Sequence, residues 1–480
     1  MDDAVIVGSG PNGFAAAIEL ARAGASVRIV EARDEIGGGL RTAPLTLPGY
    51  AHDVCSGCHP MGVLSPWFRG APLDRHGLRW IRPPASVAHP LDDAPAVLLR
   101  RSLAETAGEL DEDAAAYTAC FAPLLRQPHE LLADLLAPLR LPRHPFRLAR
   151  FGLPGLLPAT LLFRRRFRGQ RARAVLAGCA AHSVLPLEQP LTAAVAMIFA
   201  LTAHLEDWPV AAGGSQAIAD ALASYFRSLG GRIETGRPVR ALADLPPARV
   251  VLFDTSPAQL ADIGEPILPA PYVRRLRRYR YGPGACKVDW ALDGPIPWRD
   301  PRCLDASTVH VGGMLEEIAA AEAAVWRGEH PERPFVLVVQ QSQFDASRAP
   351  AGRHTGYAYC HVPAGSTVDQ SDAIERQIER FAPGFRERIL ARHVRRPADL
   401  QRENANYVGG AITGGVADLG QFFARPVARL DPYSTPHPRL FICSASTPPG
   451  GGVHGMCGYY AARSALRRLR RLPDAPAPLA

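Results

Sequence analysis

Lysine is almost absent from this chain. Of 54 basic residues only Lys287 is a lysine, and the others are arginines. That bias matches a GC-rich coding sequence. No zinc-finger spacing or RNP-type aromatic motif accompanies it, so nucleic acid is not an expected partner. No run of about eighteen apolar residues occurs, which excludes a membrane-spanning helix. The nine cysteines show no metal-type pairing, and no metal site is expected. Cys55 and Cys58 form a lone C-x-x-C in a loop without the helix N-terminus that favours a thiolate, so two small thiols near the site are expected. There is no evident nucleophile triad or carboxylate pair. A glycine-rich motif begins so near Met1 that no signal peptide is expected, which implies a reducing, cytoplasmic setting.

What remains is ordinary globular material. The 480 residues are 47% hydrophobic and 21% charged, enough for a large core and two or more domains. The net charge of +8 implies at most a weak attraction to anionic lipid.

The most informative stretch is the first. Ala4–Val7 is a short β-branched run that reads as a buried parallel strand. Gly8-Ser9-Gly10-Pro11-Asn12-Gly13 follows as G-x-G-x-x-G. Residues 14–23 are strong helix formers ended by Gly24, and 26–30 form a second strand ending at Glu31. The first glycine permits the turn, the second the approach of a pyrophosphate, and the third close packing of helix on strand. Unsatisfied N–H groups and the helix dipole attract the phosphates. Glu31, eighteen residues past Gly13, stands where a carboxylate takes a ribose hydroxyl pair and repels a 2′-phosphate.

The continuation, Glu31-Ala32-Arg33 through Gly37-Gly38-Gly39-Leu40-Arg41, resembles the E-A-R-x-x-x-G-G stretch of the FAD-dependent amine-oxidase and phytoene-desaturase superfamily. The resemblance implies that the glycines approach the FAD pyrophosphate. The usual arginine position is Gly39 here, and Arg41 is the nearest arginine. Gly213-Gly214-Ser215-Gln216, a helix over 217–229, and strands over 232–234 and 238–242 resemble the second cofactor segment, where Val239 would contact the adenine side. After a strand over 439–442, residues 445–455 (ASTPPGGGVHG) resemble the C-terminal FAD motif of the phytoene-desaturase branch and open a helix over 459–471. Ser444-Ala445 replaces the Gly-Asp of many relatives. The implied FAD contacts are Gly8, Gly10, Pro11, Asn12, Gly13, Glu31, Ala32, Gly38, Gly39, Arg41, Val239, Thr447, Gly451, Gly452 and Val453.

The same resemblance implies an α/β fold with an α+β second domain. A Rossmann-type, glutathione-reductase-like FAD-binding domain would be built from 1–70, 205–260 and 425–472. A substrate domain of antiparallel sheet plus helical cap would be inserted as 71–204 and 261–424, and 473–480 read as a disordered tail. Lys287 opens a strand over 286–292 in G-x-x-K-x-x-x-x-L-x-x-x-x-P-W, which resembles the amine-oxidase strand whose lysine reaches flavin N5 through water. Lys287 and His454, the titratable group of the glycine loop, are therefore the candidate catalytic residues. His52, Asp53 and His59 lie in a Gly49–Pro66 loop where a structural role is the simpler reading.

Residues 103–136 and 172–203 read as helical. Between them, 131–167 is apolar, broken by Pro138, Pro142, Pro145, Pro154 and Pro158, and closed by Arg164-Arg165-Arg166-Phe167-Arg168. This segment reads first as a helical cap packed on the main domain, because its prolines prevent a long amphipathic face; lying on a membrane surface or forming the mouth of a hydrophobic tunnel are the alternatives. The functional expectation is an FAD-dependent dehydrogenase or desaturase of an apolar or amine substrate, with flavin reoxidised by oxygen or another acceptor. A redox-neutral flavin-dependent isomerase and a non-catalytic flavin-binding scaffold are the alternatives.

Overall fold

The computed structural model describes residues 1–473; the expected disordered tail, Pro473 apart, lies outside the described residues. Two sheets organise the chain. The first has five parallel strands in the order Leu440–Ile442, Ala248–Phe253, Asp2–Val7, Val27–Val30, Arg232–Glu234. Its central strands are apolar on both sides because both faces are covered. Phe14, Ile18, Leu222 and Phe226 pack beneath one face from helices Pro11–Arg22 and Gln216–Ser228, together with helix Met456–Leu469. Leu260, Val273 and Leu276 cover the other face from helices Pro257–Gly264 and Ala270–Arg277.

The second sheet has seven strands in the order Ile389–Arg395, Gly284–Leu292, His354–Val362, Val336–Val339, Ala306–Val311, Ala85–His89, Val97–Leu99. All its pairings are antiparallel except that of Ala306–Val311 with Ala85–His89. Period-two alternation divides its residues. Val288, Trp290, Val338, Ala358 and Cys360 pack against Ile374, Ile378 and Phe381 of helix Ser371–Phe381. Tyr357, Tyr359 and His361 point the other way, into a cavity.

Two segments differ from the sequence expectation. Residues 238–242 form no strand; the chain leaves the edge strand at Glu234 and ends in a 3-10 turn over Leu242–Asp244. Pro238 has no N–H to donate to a ladder. The helix expected over 103–136 is broken into Leu103–Gly108, a 3-10 turn Asp111–Asp113, Ala114–Phe121 and Pro128–Leu135. Asp111 carries a positive φ of 48°, and Pro128 opens the last piece. Helices Pro145–Gly155, Ala159–Arg166, Gln170–Ala181 and Thr192–Glu206 complete the cap, whose core holds Tyr117, Phe121, Phe163, Leu176 and Leu201.

Candidate functional site

One cavity of about 1140 Å³ runs from the glycine motifs to the cap. That exceeds the roughly 300–1,000 Å³ of an ordinary small-molecule pocket. Thirteen of the fifteen expected cofactor residues line it: all but Gly13 and Thr447. Gly13 lies behind the wall, where an added Cβ would collide with the Gly8 carbonyl; its missing side chain lets helix and strand close. Thr447 is buried and donates to the Ser444 carbonyl at 2.8 Å.

The cradle is rigid. Glu31 Oε2 accepts from Ser9 N at 2.9 Å and Ser9 Oγ at 2.6 Å, and Oε1 accepts from Arg33 N at 2.9 Å. Gly38 lies against the glycine turn, its would-be Cβ 3.2 Å from Gly10 Cα. Arg41 donates to the Gly38 and Glu403 carbonyls at 3.0 and 3.2 Å. Gly10 has a reason beyond the sequence reading. An added Cβ would stand 2.6 Å from Asp254 Oδ2, a carboxyl that accepts from Gly13 N at 2.9 Å. Burial pushes Asp254 up to about 8, and the neighbouring Glu31 charge adds to the shift.

These residues fit a dinucleotide. No group among the described residues takes the N–H of Asn12, Gly451, Gly452 or Val453, and all four residues face the cavity. Asn12 Oδ1 is buried without a partner at the same place. Donors and an orphaned acceptor at two helix N-termini suit an anionic, hydroxyl-bearing ligand.

The two candidate catalytic residues are otherwise engaged. Lys287 does not line the cavity. Its ammonium pairs with Asp289, donates to the Asp53 carbonyl at 3.1 Å and sits 3.9 Å from the centre of the Tyr357 ring. Asp289 in turn holds Arg395 at 2.8 Å. Burial brings Lys287 down to about 8. His454 lines the cavity, yet both nitrogens serve its own loop: Nδ1 accepts from Met456 N and Nε2 donates to the Gly450 carbonyl, each at 3.0 Å. Burial takes it down to about 4, so the neutral tautomer persists.

The Gly49–Pro66 loop ties the sheets together. Asp53 Oδ2 pairs with Arg348 at 2.6 Å, and Oδ1 accepts from Thr42 and from Ser215 N. His52 bonds Thr46 at 2.7 Å, and His59 bonds Ser215 at 2.9 Å. Cys55 and Cys58 are free thiols, and burial raises Cys58 to about 11, away from thiolate chemistry.

Sequence reasoning missed Asp254, Tyr357, Tyr359, His361 and the cavity-lining loop 402–407. Alternation along the strand His354–Val362, Tyr357-x-Tyr359-x-His361, puts the three rings on one face, a pattern visible in the sequence. The loop and Asp254 carry no local pattern. The cap contributes Leu148, Phe151, Leu156, Val195, Ile198 and Phe199 to an apolar outer half.

A parallel Rossmann-like sheet joined to a mixed, mostly antiparallel sheet, with a glycine-lined cavity between them, is the architecture of the amine-oxidase fold. Residues 6–69 match the family described as NAD(P)-binding Rossmann-like domain. A full-length likeness is to pyridine nucleotide-disulfide oxidoreductase domain-containing protein 2 of Rattus norvegicus, at 26% identity over 98% of this chain and 94% of that protein. A shorter match, 34% over 101 residues, is to a limonene dehydrogenase polypeptide of Castellaniella defragrans, covering 21% of this chain and 18% of that one. Among solved structures, wild-type putrescine oxidase bound to putrescine superposes with a TM-score of 0.60 at 17% identity, over 98% of each chain. No helix among the described residues is long and apolar enough to cross a membrane.

Proposed function

We propose that the protein is an FAD-dependent dehydrogenase of an apolar organic substrate. The observation that carries this reading is the continuity of one cavity from the glycine cradle to the apolar cap. Bound FAD would supply a ring that accepts a hydride, while a proton leaves the adjacent substrate atom and oxygen or another acceptor later takes the electrons. The chain's residues bind and exclude. The N–H groups of Asn12 and of Gly451–Val453 would hold the anionic and carbonyl oxygens of the dinucleotide, and Glu31 would take a ribose hydroxyl pair. Tyr357, Tyr359, Leu337 and Val339 form a dry wall opposite the cap. The relative named for limonene supports an apolar substrate; the putrescine oxidase fold supports the class. An amine would want an acid in the cap half, and Asp134 there is already held by Arg143 N and His144.

Anaerobic bleaching of bound flavin, screened over terpenoid and amine panels, tests the proposal. Bleaching by apolar compounds supports it, and bleaching by amines alone contradicts it. Acceptor consumed in step with product separates dehydrogenation from redox-neutral isomerisation.

We also propose that the cap rests on an anionic bilayer. Leu141 and Phe146 are 93% and 91% exposed, and Leu139 and Leu153 are exposed too. Helix Pro145–Gly155 presents Phe151 and Gly155 to the cavity and Phe146 and Leu153 outward. From 135 to 187 the chain has ten arginines and no acid, more positive charge than the whole chain's net +8. Arg147, Arg164 and Arg171 are paired with Glu130, Glu316 and Glu109, and the other arginines of the segment leave it net positive. Exposed apolar side chains in an arginine-rich segment match a lipid surface carrying negative headgroups, from which an apolar substrate can partition.

A further inference from the structure

Four imidazoles line the cavity: His59, His182, His361 and His454. His59 and His454 are tied to serine or backbone partners on both nitrogens. His182 bonds His310, Nε2 to Nε2, at 2.9 Å, and burial takes it down to about 3. His361 differs. Its Nδ1 lies 2.8 Å from Glu322 Oε2 and 3.0 Å from Oε1, and both side chains are buried. Glu322 comes from helix Leu315–Trp326, which packs beside cap helix Gln170–Ala181 on the same face of the sheet as His361, and it does not line the cavity. A carboxylate only accepts, so Nδ1 donates; the ring is fixed and Nε2 is left as its second functional atom. No group among the described residues bonds Nε2. The neighbouring wall is Tyr359, whose ring centre lies 5.9 Å from that of His361, and Leu337, paired in register with Tyr359.

We propose that His361, held by Glu322, anchors the hydroxyl group of an otherwise apolar ligand. The inference rests on the reading of this cavity as the substrate site and narrows its substrate class to apolar alcohols. A neutral Nε2 accepts from O–H, and a protonated one donates to the hydroxyl oxygen. A hydroxyl therefore satisfies the ring in either state, a carbonyl in only one, and a hydrocarbon in neither. A hydrocarbon would leave Nε2 buried and unpaired, the situation that gives hydrogen-bonding sites their discrimination. The apolar cap residues take the remainder of the molecule.

Equilibrium binding of a sesquiterpene alcohol and of the hydrocarbon with the same skeleton, to the FAD-loaded protein, tests this without turnover. The wild type is expected to prefer the alcohol by at least about tenfold, the scale of one hydrogen bond. His361→Leu alone would orphan a buried carboxylate, so the informative variant is H361L combined with E322M, which removes both polar partners. It should bind the hydrocarbon as before and lose the preference. Equal binding of the two compounds by the wild type overturns the proposal. So does equal weakening of both in the variant, or failure of both to bind. If the alcohol is preferred yet never bleaches the flavin, the dehydrogenase reading fails while the anchor stands.

Discussion

Asp254 holds the N–H of Gly13 at 2.9 Å, at the helix end where a dinucleotide pyrophosphate belongs. Burial first, and the Glu31 charge after it, raise this carboxyl to about 8. The folded protein thus binds the proton more tightly than the unfolded chain, whose carboxylate titrates near 4. The contribution to stability is fully present below that value and declines as pH rises toward about 8. An incoming pyrophosphate adds negative charge beside the same group. FAD affinity is therefore expected to fall as pH rises through about 8, and Asp254→Asn should flatten that dependence. Fluorescence titration with FAD across this range checks it; identical pH profiles for wild type and D254N would contradict it.

The glycines of the cradle separate into two kinds. Gly13→Ala places a methyl group against the Gly8 carbonyl, backbone against backbone, with no side chain able to yield. A stability loss of about 2–3 kcal/mol is expected from denaturant unfolding. Gly10→Ala meets the Asp254 carboxyl, which can rotate at the expense of the Gly13 bond. It should lose FAD affinity with less loss of stability.

Lys287 acts in this structure as a buried strut. Lys287→Met removes one of two cations around Asp289 and leaves Arg395. A buried pair that loses one partner is destabilised by about 3–5 kcal/mol, and the remaining arginine points to about 3. The spectrum of bound flavin should not change. A change in flavin spectrum or reoxidation rate at unchanged stability would restore the flavin-side role that its motif implies.

Much of the first sheet was legible because its signals are local. Val5, Ile6 and Val7 followed at once by Gly8 leave one reading, a strand entering a dinucleotide turn. The C-terminal glycine run likewise marks its helix, although that helix begins earlier, at Met456, where His454 caps the first turn. The missing strand over 238–242 shows the opposite case. Its apolar pattern was suitable, but a strand needs a neighbour, and pairing partners are not written in local sequence. Asp254 and the loop 402–407 reach the cavity only through the folding together of distant segments. For Lys287 the motif gave the strand, while the pairing of its ammonium with Asp289, two residues on and on the same face, was not read from the sequence.

Docking of the cap on lipid has its own test. Cosedimentation with vesicles of phosphatidylcholine containing phosphatidylglycerol should retain the protein, and vesicles of phosphatidylcholine alone should retain less. Leu141→Ser with Phe146→Ser should lower partitioning about tenfold or more, since two well-exposed apolar side chains are lost at about 1.5–3 kcal/mol each. Raised salt should weaken it further. Equal retention of the variant, or retention by nucleic acid in place of lipid, would contradict the docking surface.

The absorbance spectrum of the purified protein, with its heat-released cofactor identified, tests the central claim most directly. The account predicts oxidised-flavin bands and release of FAD. A colourless protein that also fails to take up added FAD would contradict it, and the glycine cradle would then have to serve a different dinucleotide.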